Sequence, residues 1–144
     1  MAEKPKLLYI TRKEHFNAAH KLYNPNWTEE ENDAVFGRCA NKNWHGHNFE
    51  LYVTVKGYPN PDTGFIMDLK KLKVIINEKV IDKLDHRNIN EDVDFMKGKM
   101  ASIENLVTAI WEQLEAPINA HGCRLHYLKL VETERNFVEY YGEE

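Results

Sequence analysis

Apolar and polar residues alternate strictly along residues 47–57 of the chain. One face of this stretch carries a histidine followed by four apolar side chains, namely His47, Phe49, Leu51, Val53 and Val55. Because successive side chains of a strand point to opposite faces, the alternation predicts a strand with one buried face. A less regular strand, rich in β-compatible residues, is predicted over residues 7–19.

Two later stretches follow the helical period instead. Residues 68–84 place apolar side chains three or four positions apart, opposite a face of lysines, at Leu69, Leu72, Ile75, Ile76 and Val80. Residues 102–115 repeat this period, and Ser102 is a candidate N-cap. Two further strands, joined by a tight turn, are predicted near residues 124–132 and 136–141.

The order β-β-α-α-β-β predicts a single α+β domain over residues 1–144. We expect a four-stranded antiparallel sheet with two helices on one face. Its outer face and strand edges would remain uncovered in a single chain, which indicates an oligomer.

Composition narrows the class of protein. With 144 residues, 42% of them apolar, and a formal net charge of −4, the chain is typical of a globular domain and lacks the basic excess of nucleic-acid binders. No apolar run approaches the length of a membrane span, and no secretory signal is visible. Two cysteines make a poor disulfide framework, so we expect reduced thiols and a cytoplasmic protein.

The segment His45-Gly46-His47 is the strongest local candidate for metal chemistry. Residues two apart on a strand share a face, with Cα atoms about 7 Å apart, so both imidazoles can reach one ion. His20 is the candidate third ligand, because strand pairing would bring the end of the first strand alongside. Three imidazoles with an open fourth position are typical of catalytic zinc. The alternative is a pair of exposed or hydrogen-bonded histidines; His47 favours a metal, since it is in phase with the buried face.

Cys39 and the pair Asp85-His86 are candidates for acid–base chemistry. Polar and basic neighbours, including Arg38, argue against a buried structural cysteine and favour a thiolate. Asp85 could orient His86, which could then exchange protons with Cys39. A helix cap or a surface pair is the alternative for Asp85-His86.

Glu132 is the third candidate. By alternation it shares a face with Leu128 and Leu130, where a carboxylate is costly unless it is paired. Such a carboxylate suits a ligand with two adjacent N–H donors, for example a 2-amino-4-oxo pyrimidine edge. A surface glutamate at a strand end is the alternative.

Taken together, these segments resemble the 6-pyruvoyl-tetrahydropterin synthase family over nearly the whole chain. The resemblance is carried, in order, by Phe16-Asn17-Ala18-Ala19-His20, Phe36-Gly37-Arg38-Cys39, His45-Gly46-His47-Asn48-Phe49, Gly64-Phe65-Ile66-Met67-Asp68-Leu69, Leu84-Asp85-His86-Arg87-Asn88-Ile89, Ile103-Glu104-Asn105 with Trp111, and Val131-Glu132-Thr133.

The resemblance implies the tunnelling fold, in which β-β-α-α-β-β subunits assemble into barrels, commonly a homohexamer of two trimers. It implies Zn²⁺ on the three histidines named above and Cys39 as the proton-abstracting base. Asp85 and His86 would form a relay with that base across a subunit boundary. Glu132 would anchor the pterin, with Glu104 and Ser102 as further contacts. The reaction would convert 7,8-dihydroneopterin triphosphate to 6-pyruvoyl-tetrahydropterin, for tetrahydrobiopterin biosynthesis.

Two rival functions remain open at this point. The related 6-carboxy-tetrahydropterin synthase of the deazapurine pathway shares the fold, the metal and the substrate. Its cysteine usually lies closer to the His-Gly-His segment, whereas five residues separate Cys39 from His45 here. The other rival is a non-catalytic pterin- or metal-binding homologue, which the intact Cys39, Asp85 and His86 disfavour. Asn17, Trp44 and Ile103 depart from the family's usual residues.

Overall fold

The computed structural model describes residues 3–41 and 44–144 of the chain. Its strands are β1 (Leu8–His20), β2 (His45–Gly57), β3 (Arg87–Asn88), β4 (Arg124–Thr133) and β5 (Asn136–Tyr140). They form one sheet in the order β3-β1-β2-β4-β5. Neighbouring long strands run antiparallel, and β3 lies parallel to β1.

The helices are α1 (Glu29–Phe36), α2 (Leu69–Ile76), α3 (Asp82–Leu84) and α4 (Ile103–Asn119). A π-helical segment, Asn77–Ile81, joins α2 to α3, so the predicted helix over residues 68–84 is present with a widened turn in its middle. Asp68 and Ser102 cap α2 and α4, each accepting a hydrogen bond from a backbone N–H of the first turn. None of the helices in these described ranges is long and apolar enough to cross a membrane.

The core lies between one face of the sheet and helices α2 and α4. The alternation predicted for β2 buries its apolar side chains fully, and the apolar stripes of the two helices cover them. The largest side chains of this core, all less than 2% exposed, are Phe16, Phe49, Leu51, Leu72, Ile76, Leu84, Ile89, Leu106, Ile110, Leu114, Ile118 and Leu128. The packing therefore confirms an α+β fold with both long helices on one face.

The apolar core between β1, β2 and the helices ends at a group of histidines, at the end of these two paired strands. All 13 residues of β1 pair with β2, and the last pair is His20 opposite His45. Ala18 lies opposite His47, and Phe16 opposite Phe49. Because side chains alternate, these three pairs share the core-facing side of the sheet, so the histidines continue the apolar column.

The structure corrects three expectations about the elements. The sheet is not a purely antiparallel sheet of four strands, because β3 adds two residues that are too short to show any period. Helix α1 lies between β1 and β2, where no helix was predicted. Helix α4 continues to Asn119 and contains Pro117, which removes one backbone N–H from the helical hydrogen bonds without ending the helix.

Candidate functional site

Three histidine rings converge where β1 and β2 end together. The potential ligand atoms of His20, His45 and His47 all lie within 4.8 Å of one another. Ring centroids are 4.6 Å apart for His20 and His45, 4.9 Å for His45 and His47, and 5.2 Å for His20 and His47. His20 is only 2% exposed, and the other two rings are half-buried. This spacing lets one ion contact all three rings.

The hydrogen bonds of His20 fix which ring nitrogen faces the cluster. Its Nδ1 lies 2.8 Å from the carbonyl oxygen of Ala101, and because a carbonyl only accepts, Nδ1 carries the proton and donates. Nε2 is then a free lone pair. Both His20 Nε2 and His47 Nε2 are buried without a hydrogen-bond partner. Buried polar atoms are rarely left unpaired, so the two nitrogens fit a bound cation.

Burial also sets the charge of the cluster. Loss of hydration lowers the pKa of His20, His45 and His47 below the ordinary value of a histidine. All three rings are therefore neutral at pH 7, which is the form that coordinates a metal. Three neutral imidazole nitrogens within 4.8 Å of one another could therefore hold one metal ion.

Glu132 faces the same cluster from β4. Its Oε2 lies 3.8 Å from His20 Nε2, and its side chain is 22% exposed. The carboxylate acts to raise the pKa of His20, but burial has the larger, opposite effect, so this contact is not an ion pair. The predicted inward orientation of Glu132, in phase with the buried Leu128 and Leu130, is the one observed.

Cys39 lies in a short 3₁₀ turn, Gly37–Ala40, that follows α1. Its side chain is half-buried, and it forms no disulfide with Cys123. The backbone N–H of Leu22 donates to the Cys39 carbonyl at 2.7 Å. The turn is thereby tied to the chain two residues beyond His20, so the thiol and the metal-ligand candidate are anchored to the same short segment.

Asp85 and His86 form a dyad, but on the edge of the sheet. Asp85 Oδ1 accepts the backbone N–H of Asn17 at 2.8 Å, and His86 Nδ1 lies 3.0 Å from Asp85 Oδ2. These donors, led by the Asn17 N–H, hold the pKa of Asp85 below its usual value. The His86 N–H donates to the Asn17 carbonyl at 2.6 Å, with the residue in the left-handed region at φ 61°.

The dyad is separate from Cys39 within one chain. The His86 side chain is 77% exposed, and neither member of the dyad hydrogen-bonds Cys39 in the described residues. A left-handed φ is uncommon for a residue with a side chain, and the hydrogen bond between the His86 N–H and the Asn17 carbonyl helps to hold His86 in it. The imidazole is left free to face another molecule.

Ser102 and Glu104 lie at the start of α4, next to the carbonyl that orients His20. Ser102 Oγ accepts the Asn105 N–H at 3.2 Å, so its hydroxyl caps the helix, and Glu104 is exposed. Sequence reasoning missed Ala101, because a backbone carbonyl acts without regard to residue type. Its one visible signal was its place directly before the N-cap.

The residues that depart from the family's pattern are compatible with this geometry. Asn17 contributes its backbone to the dyad, so its side chain is not constrained by that contact. The Lys21 ammonium lies over the Trp44 ring, with Nζ 5.9 Å from the ring centroid. The same Nζ lies 4.9 Å from the centroid of the Tyr23 ring. Ile103 packs against the core. Lys42, a basic residue between Cys39 and His45 in the sequence, lies outside the described residues.

Comparison with known proteins agrees over nearly the full chain. The sequence model of the family described as 6-pyruvoyl tetrahydropterin synthase matches residues 9–143. The 6-pyruvoyl tetrahydrobiopterin synthase of Dictyostelium discoideum is 43% identical over 134 residues, covering 93% of this chain and 96% of its own. The human protein of that name is 38% identical, with coverage of 93% and 91%. The structure of Caenorhabditis elegans 6-pyruvoyl tetrahydropterin synthase matches with a TM-score of 0.90 at 32% identity, covering 99% of this chain and 100% of that chain.

Proposed function

The chain belongs to the 6-pyruvoyl tetrahydropterin synthase family, and we propose that it converts 7,8-dihydroneopterin triphosphate to 6-pyruvoyl-tetrahydropterin, with elimination of triphosphate, in tetrahydrobiopterin biosynthesis. This makes it a carbon–oxygen lyase. The observation that carries the proposal is the convergence of three neutral imidazoles, two of whose Nε2 atoms are buried without partners.

Zn²⁺ is the metal that we propose for His20, His45 and His47. Imidazole nitrogens suit zinc, and three protein ligands leave a coordination position for substrate oxygens. When bound, the ion would supply a Lewis acid that makes the C–H bonds beside the substrate's hydroxyl groups more acidic. The chain's part is to hold His20 through the Ala101 carbonyl, so that its Nε2 remains a lone pair.

Glu132 is the proposed anchor for the pterin ring. Its carboxylate lies beside the histidines and has no basic partner among the described residues other than the neutral His20. A 2-amino-4-oxo pyrimidine presents two adjacent N–H groups that a carboxylate accepts together. Ser102 and Glu104 would extend this contact from the start of α4. Binding there would orient the substrate's side chain towards the metal ligands.

Cys39 is the proposed base that removes protons from the substrate's side-chain carbons. Its anchoring to Leu22 keeps the thiol beside the end of β1, near the metal ligands. Asp85 and His86 would restore the protonation state of the thiol after it has removed a proton. Asp85 would hold the His86 ring in place through the ring's Nδ1. Since His86 faces away from its own chain's interior, we assign the relay to the cysteine of a neighbouring subunit.

The leaving triphosphate needs cations near the histidines. Arg12 is unsuited, because Glu14 accepts from both its Nε and Nη2, at 2.9 and 2.8 Å. It also lies eight residues before His20 on β1, roughly 26 Å away at the rise of a strand. Lys21 and Arg38, which directly adjoin His20 and Cys39, are the better candidates.

A homohexamer built from two trimers is the proposed assembly. Strand β3 pairs with β1 only at Ala18 and Ala19, so in the described part of the chain residues 8–16 have no strand on the side of β1 that faces away from β2. The other edge is the five-residue β5. Two open edges favour edge-to-edge pairing between copies, which would close the sheets into a barrel and bring the exposed dyad to a second chain.

The two free thiols favour a reducing compartment, the cytoplasm.

The decisive test is product identification. Purified, zinc-loaded protein is incubated with 7,8-dihydroneopterin triphosphate, and the products are identified by mass. Release of triphosphate together with 6-pyruvoyl-tetrahydropterin supports the proposal. Formation of 6-carboxy-tetrahydropterin with acetaldehyde would assign the chain to the deazapurine enzyme, and binding without turnover would indicate a non-catalytic homologue.

A further inference from the structure

The end of β1 is held by a side chain where the sheet offers no further strand. Strand β3 pairs with Ala18 and Ala19, and the Ile89 N–H donates to the Ala19 carbonyl at 2.8 Å. At Lys21, one residue beyond the end of β1, the carboxamide of Asn90 makes the hydrogen bonds that a neighbouring strand would otherwise make. Its Oδ1 accepts the Lys21 N–H at 2.9 Å, and its Nδ2 donates to the Lys21 carbonyl at 2.9 Å. Asn90 thus acts as one more rung of the ladder.

The carboxamide is itself held in place. The backbone N–H of Asn90 donates to Asn88 Oδ1 at 3.0 Å, in a turn that follows the buried Ile89. The side chain of Asn90 is half-buried and uses both of its functional ends on one residue of β1's extension. Such a two-point contact fixes the path of the backbone more tightly than one hydrogen bond would.

Two groups of the proposed site depend on that backbone. His20 is the residue directly before Lys21, and its ring is the most buried of the histidine cluster. Leu22 is the residue directly after, and its N–H holds the Cys39 carbonyl at 2.7 Å. One carboxamide therefore lies at the junction between the candidate metal ligand and the candidate base.

We infer that Asn90 is a positioning residue of the proposed reaction: it fixes the distance between Cys39 and the metal-binding histidines. The inference rests on the function proposed above. Asn90 lies outside the segments that carry the family resemblance, and among the described residues it forms no hydrogen bond with the three histidines or with Cys39. Proton abstraction is sensitive to misplacement of a base by about 1 Å, so loosening this junction lowers the rate of the chemical step more than it lowers substrate binding.

The test compares Asn90→Ala with the matched variant Asn119→Ala. Asn119 Oδ1 also accepts a backbone N–H, that of Leu125 at 2.8 Å, but it does so at the start of β4, near the opposite end of the sheet. In zinc-loaded protein, Asn90→Ala should lower kcat by about ten- to a hundredfold with little change in KM. Asn119→Ala should lower the melting temperature comparably and leave kcat unchanged.

Asn90→Asp provides a second variant that retains part of the contact. Its carboxylate still accepts the Lys21 N–H but cannot donate to the Lys21 carbonyl, so its kcat should lie between those of wild type and Asn90→Ala. A readout independent of turnover is the rate of Cys39 alkylation by iodoacetamide in metal-free protein, followed by peptide mass spectrometry. Loss of both hydrogen bonds to Lys21 should raise that rate roughly five- to a hundredfold in Asn90→Ala.

The outcomes separate this inference from the function on which it rests. Wild-type kcat and an unchanged Cys39 alkylation rate in Asn90→Ala would overturn it. So would an equal loss of kcat in Asn119→Ala at matched stability, since Asn90 would then be a structural brace only. If wild-type protein does not turn over the substrate, the proposed function fails, and the alkylation rates alone still decide whether Asn90 positions Cys39.

Discussion

Four consecutive residues of β1, from Asn17 to His20, serve two unlike clusters. On the core side, His20 joins two other histidines in a buried group whose ring nitrogens lack partners. On the strand's edge, the backbone of Asn17 holds Asp85 and His86 in an exposed dyad whose carboxylate is fully engaged. The first cluster is neutral through burial, and the second keeps its carboxylate ionised through hydrogen bonds.

The difference between the two clusters shows what each one lacks. The buried cluster has three histidine donors close enough to share one ion, so a metal could complete it within a single chain. The dyad has its orienting carboxylate but, among the described residues, hydrogen-bonds no proton donor or acceptor of the histidine cluster or of Cys39, which is why we propose that a second chain completes it. A strand with one face in the core and one free edge can serve both purposes.

Removing one ligand should have the largest effect. His47→Ala leaves two imidazoles, and we expect it to lose stoichiometric zinc together with all measurable turnover. Metal content after dialysis and turnover measure this. His126→Ala is the control, because His126 packs between Tyr9 and Tyr141 away from the cluster and should keep both properties. A full equivalent of zinc in His47→Ala would show that His47 is not a ligand.

Removing the proposed base should separate metal binding from chemistry. Cys39→Ala should retain one equivalent of zinc and lose kcat by about 10²- to 10⁴-fold, the usual contribution of a general base. Cys123→Ala is the matched control, since that thiol is buried against Ile118 and Met67. Turnover of Cys39→Ala at the wild-type rate would assign proton removal to another group.

Mixing two inactive variants tests whether the dyad serves a neighbouring chain. Cys39→Ala and His86→Ala should each be inactive as pure assemblies. Co-expressed in equal amounts, they should recover activity at roughly a quarter of the interfaces, those that pair an intact thiol with an intact imidazole. If mixed assemblies, verified by native mass spectrometry, stay inactive, then both groups must act within one chain.

Acidification should have the smallest effect, on stability alone. The folded pKa values of the three histidines lie below that of an unfolded histidine, about 6.5, so below that pH the unfolded chain binds more protons. The melting temperature of metal-free protein should therefore fall as the pH drops through about 6.5, and less steeply in His47→Gln. A melting temperature that rises on acidification would contradict the burial of neutral rings.

Periodicity predicted the parts of this molecule in which one side chain after another meets the core. The alternation of β2 and the helical stripes over residues 68–84 and 102–115 are such cases, and their burial confirmed them. Helix α1 is short and almost wholly exposed, so it shows no apolar stripe. The sequence did contain a signal for the start of α1, because Thr28 and Glu31 have the spacing of a capping box. In the structure the Thr28 hydroxyl accepts the Glu31 N–H.

The candidate site was predictable in its residue types and not in its orientation. Strand phase placed His45 and His47 together and turned Glu132 inward. The proton position on His20 depends on the carbonyl of Ala101, and the exposure of His86 depends on backbone contacts with Asn17. Backbone groups contribute to both clusters without regard to residue type, so a single sequence does not show which of them orients a site residue.

We expect one metal ion to bind between the three core-facing histidines of each chain. Anomalous diffraction from crystals of the purified protein, recorded on both sides of the zinc absorption edge, tests it directly. We expect one strong peak per chain at bonding distance from ring nitrogens of His20, His45 and His47, present only above the edge. If the protein contains zinc but the peaks lie elsewhere, or if no ion contacts the three rings, the histidines are not the metal site.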